Sequence, residues 1–171
     1  MALDPLSLMH PHVAAWFRER YGEPTPVQAG VWPLAAEGRH ILAIAPTGSG
    51  KTLAAFLDGI SRLASGDYPA DRLSILYISP LKALVEDIRV NLLEPLHGIH
   101  ARFEAEGLAW PPLRVSVRTG DTSQTERRRD LSKPPSILAT TPESLAILLN
   151  TAKGRAMLGE VRLLILDEVH A

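Results

Sequence analysis

No cysteine occurs anywhere in the 171 residues. That excludes disulfides and thiolate metal sites and fits a reducing, cytoplasmic setting. An excess of either charge is also missing: 18 basic and 19 acidic residues leave a net charge of −1 with histidine neutral. Any contact with nucleic acid therefore has to be local rather than spread over a basic face. No apolar run approaches the roughly 20 residues of a membrane-spanning helix, so no membrane role is expected. Residues 1–13 hold prolines, Asp4 and histidines but neither the basic head nor the apolar stretch of a signal peptide. Repeats, low-complexity tracts and linkers are absent, and residues 65–71 read only as a polar loop. The six histidines form no ligand pattern; His97 and His100 could share a helix face, but without a carboxylate at metal-ligand spacing. What is present, 46% hydrophobic and 22% charged residues, suits one globular domain with a real core.

Against that plain background one stretch carries chemistry. Ala45-Pro46-Thr47-Gly48-Ser49-Gly50-Lys51-Thr52 follows the apolar residues 40–44, which read as a buried strand. It opens a helix with apolar residues at Leu53, Phe56, Leu57, Ile60 and Leu63, spaced three or four apart. Strand, glycine-rich turn and helix are the setting of a phosphate-binding loop. The glycines let backbone N–H groups turn inward around an anion at the helix N-terminus. Thr47, Gly48, Ser49, Gly50, Lys51 and Thr52 are the candidate cradle, with Lys51 reaching the β/γ phosphates and the Thr52 hydroxyl ligating Mg²⁺. The full pattern has glycine where Ala45 stands.

The end of the sequence specifies the chemistry further. Residues 161–166 form a short apolar strand that runs into Asp167-Glu168-Val169-His170. A carboxylate at the carboxyl end of a parallel strand can hold Mg²⁺ at a phosphate loop, so Asp167 is the expected metal ligand. The carboxylate after it, Glu168, can orient or deprotonate an attacking water. Asp-Glu after a strand is common by itself; joined to an upstream phosphate loop it points to hydrolysis of a nucleoside triphosphate.

Strand-like and helix-like runs alternate between these two motifs, which predicts an α/β fold with a parallel sheet flanked by crossover helices. Strands are expected at residues 74–79, 113–118, 136–140 and 161–166. After Pro80 the apolar spacing predicts a helix that Pro95 ends, with a looser connection over residues 98–112. A short polar helix holds Glu126-Arg127-Arg128-Arg129, read as a solvated face offset by Glu126 and Asp130. Residues 142–150 form a helix with proline in its first turn.

Three further phrases fall at strand ends: Ser79-Pro80-Leu81-Lys82-Ala83-Leu84, Arg118-Thr119-Gly120-Asp121-Thr122 and Thr140-Thr141-Pro142-Glu143-Ser144-Leu145. Upstream stands Tyr21-Gly22-Glu23-Pro24-Thr25-Pro26-Val27-Gln28. This ordered set, spanning nearly the whole chain, resembles a superfamily 2 DEAD/DEAH-box helicase, specifically the first RecA-like domain of an Lhr-type (large helicase-related) enzyme. The resemblance implies a P-loop NTPase fold, ATP and Mg²⁺ as cofactors, and ATP-driven 3′-to-5′ movement on single-stranded DNA with unwinding of DNA or DNA–RNA duplexes. It implies that Gln28 reads the adenine edge, since an amide offers an acceptor and donors, while Trp16, Phe17 or Tyr21 stacks on the base. It gives the phosphate track to Pro80, Lys82, Arg118, Thr119, Gly120, Thr141, Pro142 and Glu143, and makes His170 the link between that track and the nucleotide. Val85-Glu86 departs from the family phrase.

The same resemblance predicts a coupling motif, a further sheet strand and a second RecA-like domain with an arginine finger after the Asp-Glu-Val-His motif. Residues 1–171 then correspond to the N-terminal part of the ATP-binding domain, truncated after that motif. Such a chain is expected to be marginally stable and inactive without the missing half. The alternative is a non-catalytic ATP-binding or regulatory module whose sheet a partner chain completes.

Overall fold

The computed structural model describes residues 4–169, so His170 lies outside the described residues. The chain divides into two compact units, one of residues up to Asp67 with Pro95–Trp110, the other of Tyr68–Glu94 with Pro111 onward.

The first unit is helical. It holds α1 (Pro11–Tyr21), α2 (Pro26–Ala36), α3 (Lys51–Ser65) and the second half of α4 (Lys82–Ala105). Both α1 and α2 begin with proline in the first turn, where the missing N–H costs nothing. A reciprocal Thr25/Gln28 capping box fixes the start of α2. The spacing predicted for α3 is its buried face: Phe56, Leu57, Ile60 and Leu63 are fully covered. Phe17 and Trp32 are fully buried in the same unit, and their rings meet edge to face at 5.2 Å.

Two expectations fail in this unit. Pro95 does not end its helix: α4 runs on to Ala105 with Pro95 inside it, so residues 98–105 are helix rather than loose connection. Leu96, Ile99 and Phe103, three and four apart, are all buried. Burying three large side chains at ~1.5–3 kcal/mol each outweighs the roughly 3 kcal/mol that an internal proline costs. Residues 40–44 form no strand; Ile41, Leu42 and Ile44 are 36%, 75% and 87% exposed. A strand exists by pairing, and the described sheet does not include these residues.

Gly98 lies in α4 where any added methyl would run into the indole of Trp16, which is itself buried. Gly98→Ala gains about 1 kcal/mol of helix propensity, but forcing an extra carbon into a filled core costs ~1–3 kcal/mol. Net destabilisation is expected, read as an earlier thermal unfolding midpoint; an unchanged or later midpoint would show that the indole yields freely.

The second unit is the α/β part. Its strands β1 (Ile75–Ile78), β2 (Val115–Arg118), β3 (Ile137–Thr140) and β4 (Leu163–Leu166) form one parallel sheet in the order β2-β3-β1-β4. The helices α5 (Gln124–Ser132), α6 (Pro142–Leu149) and α7 (Ala152–Leu158) accompany them. The central strands β1 and β3 are buried at every position, which is why both read as unbroken apolar runs. Leu73, Leu76, Ile78, Leu138, Leu148 and Met157 make the core. At the sheet edge, β4 leaves Leu164 and Leu166 51% and 56% exposed. Because the strands are parallel, the segments after β1, β2, β3 and β4 all emerge at the same edge, where α/β sheets place their sites.

Candidate functional site

In the first unit, the loop before α3 has the backbone its glycines predict. Gly48 and Gly50 take φ of 78° and 86°, a left-handed conformation open to glycine, and Gly50 caps α3. Thr47, Gly48 and Thr52 are exposed; Ser49, Gly50 and Lys51 are half-buried. The Lys51 ammonium folds back to donate to the carbonyls of Ala45 and Pro46. The Ser49 hydroxyl is buried with no hydrogen-bond partner. An orphaned buried hydroxyl inside a glycine turn at a helix N-terminus suits an oxyanion ligand.

Gln28 packs directly under this loop rather than on the surface. It is 3% exposed; its amide oxygen accepts from the Thr25 N–H at 2.9 Å and its amide nitrogen donates to the Gly50 carbonyl at 3.2 Å. A methyl on Gly50 would collide with that amide. Gln28 therefore ties the start of α2 to the phosphate loop. Of the three candidate stacking rings, Trp16 and Phe17 are buried and Tyr21 is 44% exposed.

In the second unit, the predicted nucleic-acid residues gather at one sheet edge and sort into two kinds. Pro80, Lys82, Gly120, Pro142 and Glu143 are exposed. Thr119, Thr141 and Arg118 are buried, and the two threonines hold the turns. The Thr119 hydroxyl donates to Glu86 at 3.2 Å, its N–H donates to the Thr122 hydroxyl at 2.9 Å, and the Thr141 hydroxyl caps α6 through the Ser144 N–H. Lys82 forms an ion pair with Asp121. One nitrogen of Arg118 is buried without a partner; burial, then the nearby charge of Arg127, lowers its pKa.

Two residues read as part of a solvated face are not. Arg127 donates to the carbonyls of Thr122, Thr119 and Gly120 at 2.9–3.0 Å, stapling the turn after β2. Asp130 is 1% exposed; its oxygens accept from Arg114 at 2.7 Å and Ser116 at 2.6 Å. A run of three arginines contains no signal for which one turns inward.

After β4, the Asp167 N–H donates to the Ile78 carbonyl at 2.9 Å. Its carboxylate accepts from the Tyr77 hydroxyl at 2.7 Å and from the Glu168 N–H at 2.9 Å. Glu168 takes φ of 51°, the one positive φ outside glycine among the described residues. Burial, and then the bond to Asp167, pushes the Tyr77 phenol well above its ordinary pKa. The one sign of Tyr77 in the sequence is a phenol in the otherwise aliphatic run 75–78. Among the described residues no group of three or more His, Asp or Glu is placed to hold a metal ion. None of the described helices is long and apolar enough to cross a membrane.

Comparison with known proteins matches residues 25–171 to the DEAD/DEAH box helicase family. An Lhr helicase/probable uracil glycosylase of Mycolicibacterium smegmatis is 48% identical over 98% of this chain, which spans 11% of that protein. An ATP-dependent helicase Lhr-Core of Methanocaldococcus jannaschii is 46% identical over 93% of this chain, which spans 19% of it. Among solved structures, Mycobacterium smegmatis helicase Lhr bound to ssDNA and AMP-PNP aligns with a TM-score of 0.92 at 48% identity, over 98% of this chain and 21% of that one.

Proposed function

The chain belongs to the DEAD/DEAH box helicase family, with Lhr helicases among its relatives, and from that premise we propose that it is the ATP-binding part of a 3′-to-5′ DNA helicase. The observation that carries the proposal is the loop of residues 45–52, with two left-handed glycines and an orphaned Ser49 hydroxyl at the N-terminus of α3. Lys51 leaves its carbonyl partners to contact the β/γ phosphates, and the turn of residues 47–52 supplies N–H and hydroxyl donors. Thr52 and Asp167 would hold Mg²⁺, which when bound would supply positive charge against the phosphates. Glu168 orients the attacking water, and His170 couples the nucleotide to the strand.

Pro80, Lys82, Gly120, Pro142 and Glu143 at the exposed strand ends take single-stranded DNA or one strand of a DNA–RNA duplex. The buried Thr119 and Thr141 and the half-buried Arg127 act by fixing the turns that meet the phosphates, and the buried Arg118 lies at the end of β2 beside them. The match to a structure holding ssDNA and AMP-PNP supports both ligands. Activity requires the rest of a helicase: a further strand along the exposed edge of β4, and a second RecA-like domain carrying an arginine finger. The same exposed edge leaves room for a second reading, a module completed by a partner chain. Helicase motifs encoded directly downstream would favour the first, and their absence the second. A cytoplasmic location accompanies either.

Tyr21 is the stacking ring by exposure, and Gln28 sets the preference for adenine. Base stacking on an aromatic is worth ~1–3 kcal/mol, so Tyr21→Ala is expected to weaken ATP binding by about 5- to 150-fold. Competition of ATP and GTP against a fluorescent ATP analogue checks both claims. Equal competition by the two nucleotides would remove Gln28 from recognition, and unchanged ATP affinity in Tyr21→Ala would remove the ring.

A further inference from the structure

We infer that Tyr77 is a positioning residue for the metal-binding carboxylate, its phenol fixing the orientation of Asp167 from the neighbouring strand. The inference rests on the reading above that Asp167 helps hold Mg²⁺.

Tyr77 sits on β1 between β3 and β4, in register with Ala139 on one side and Ile165 on the other. Side chains two apart on a strand share a face, so Asp167, two residues past Ile165, follows on the same face as the ring. A phenol is long enough to span that offset, and it does: the hydroxyl donates to one carboxylate oxygen at 2.7 Å. The ring is 2% exposed and closed in by strands on both flanks, so the donor cannot swing away. Phenylalanine would fill the same space, so packing alone does not explain the hydroxyl.

The second carboxylate oxygen is held independently by the Glu168 N–H at 2.9 Å, in a backbone conformation rare outside glycine. Two donors from two directions, one on each oxygen, set the plane of the carboxylate. A carboxylate has about four acceptor positions; two are used here, which leaves the others, already oriented, for a cation. Outer partners of this kind typically change metal affinity by about 10- to 100-fold when removed.

The test measures how much Mn²⁺, replacing Mg²⁺, tightens AMP-PNP binding to the full chain, for wild type, Tyr77→Phe and Asp167→Ala. Affinity is also measured in EDTA, and folding is followed by circular dichroism. The expected result is a metal-dependent gain that falls about tenfold in Tyr77→Phe, with affinity in EDTA and the dichroism spectrum unchanged. A phenyl variant that keeps the whole gain while Asp167→Ala loses it would overturn the inference. Equal loss with and without metal would also overturn it, leaving Tyr77 a merely structural role. A wild type without any metal-dependent gain, or an Asp167→Ala that keeps it, would remove the metal role of Asp167 itself and the inference with it.

Discussion

Residues 1–171 alone are expected to turn over ATP slowly, and joining them to the remainder of an Lhr-type helicase is expected to raise turnover by about 10³–10⁵. The argument is electrostatic. Phosphoryl transfer asks little covalent chemistry of the protein; the rate comes from positioning and from cations set against charge developing on the γ-phosphoryl. This chain offers Lys51, but the arginine finger belongs to a second RecA-like domain in the proposed scheme. The exposed edge of β4 adds a second cause. Asp167 and Glu168 follow directly from a strand with one side unpaired in the described sheet, Leu164 and Leu166 open to solvent. Edge strands without cover are poorly defended against fraying and foreign pairing. Steady-state phosphate release from the purified chain, with and without single-stranded DNA, checks this. Fast turnover by the chain alone would contradict it.

Lys51→Ala is expected to weaken binding of ATP·Mg²⁺ by about 10- to 150-fold, because hydrogen bonds to charged groups contribute ~1.5–3 kcal/mol. In the structure described, the ammonium lies folded over the carbonyls of Ala45 and Pro46. Those contacts hold the charge over the loop, close to where a phosphate would displace them. Removing the amine leaves the glycine turn and the Ser49 hydroxyl in place, so residual weak affinity is expected rather than none. Calorimetric titration of wild type and variant with a non-hydrolysable ATP analogue measures the ratio; equal affinities would mean that nucleotide, if bound, sits elsewhere.

Local features of this fold were open to reading because single elements announce them. The spacing of Phe56, Leu57, Ile60 and Leu63 gives the buried face of α3, and the continuous apolar runs of β1 and β3 give two central parallel strands. The glycine turn is legible for the same reason: Gly48 and Gly50 adopt a conformation that other residues avoid. What escaped depends on partners distant in sequence. Residues 40–44 have a strand's composition but form no strand, since composition cannot supply a neighbour. Pro95 looks like a stop until the burial of Ile99 and Phe103 is known. Arg127 and Asp130 sit in a charged run whose inward-facing members are chosen by the turn after β2 and by Arg114. Tyr77 meets Asp167 across ninety positions of sequence, a contact that only the register of β1 on β4 brings together. Gln28 was visible as special through the family motif, but its bond to the Gly50 carbonyl, 22 positions away, was not.

Residues 45–52 are expected to bind ATP·Mg²⁺ in the isolated chain, whether or not turnover needs the rest of a helicase. Titration of the purified wild-type chain with a fluorescent ATP analogue and Mg²⁺, while circular dichroism follows folding, tests it most directly. Saturable binding that unlabelled ATP displaces, by a chain with the dichroism of its α/β fold, is the predicted result. A well-folded chain that ignores nucleotide at every concentration would contradict it.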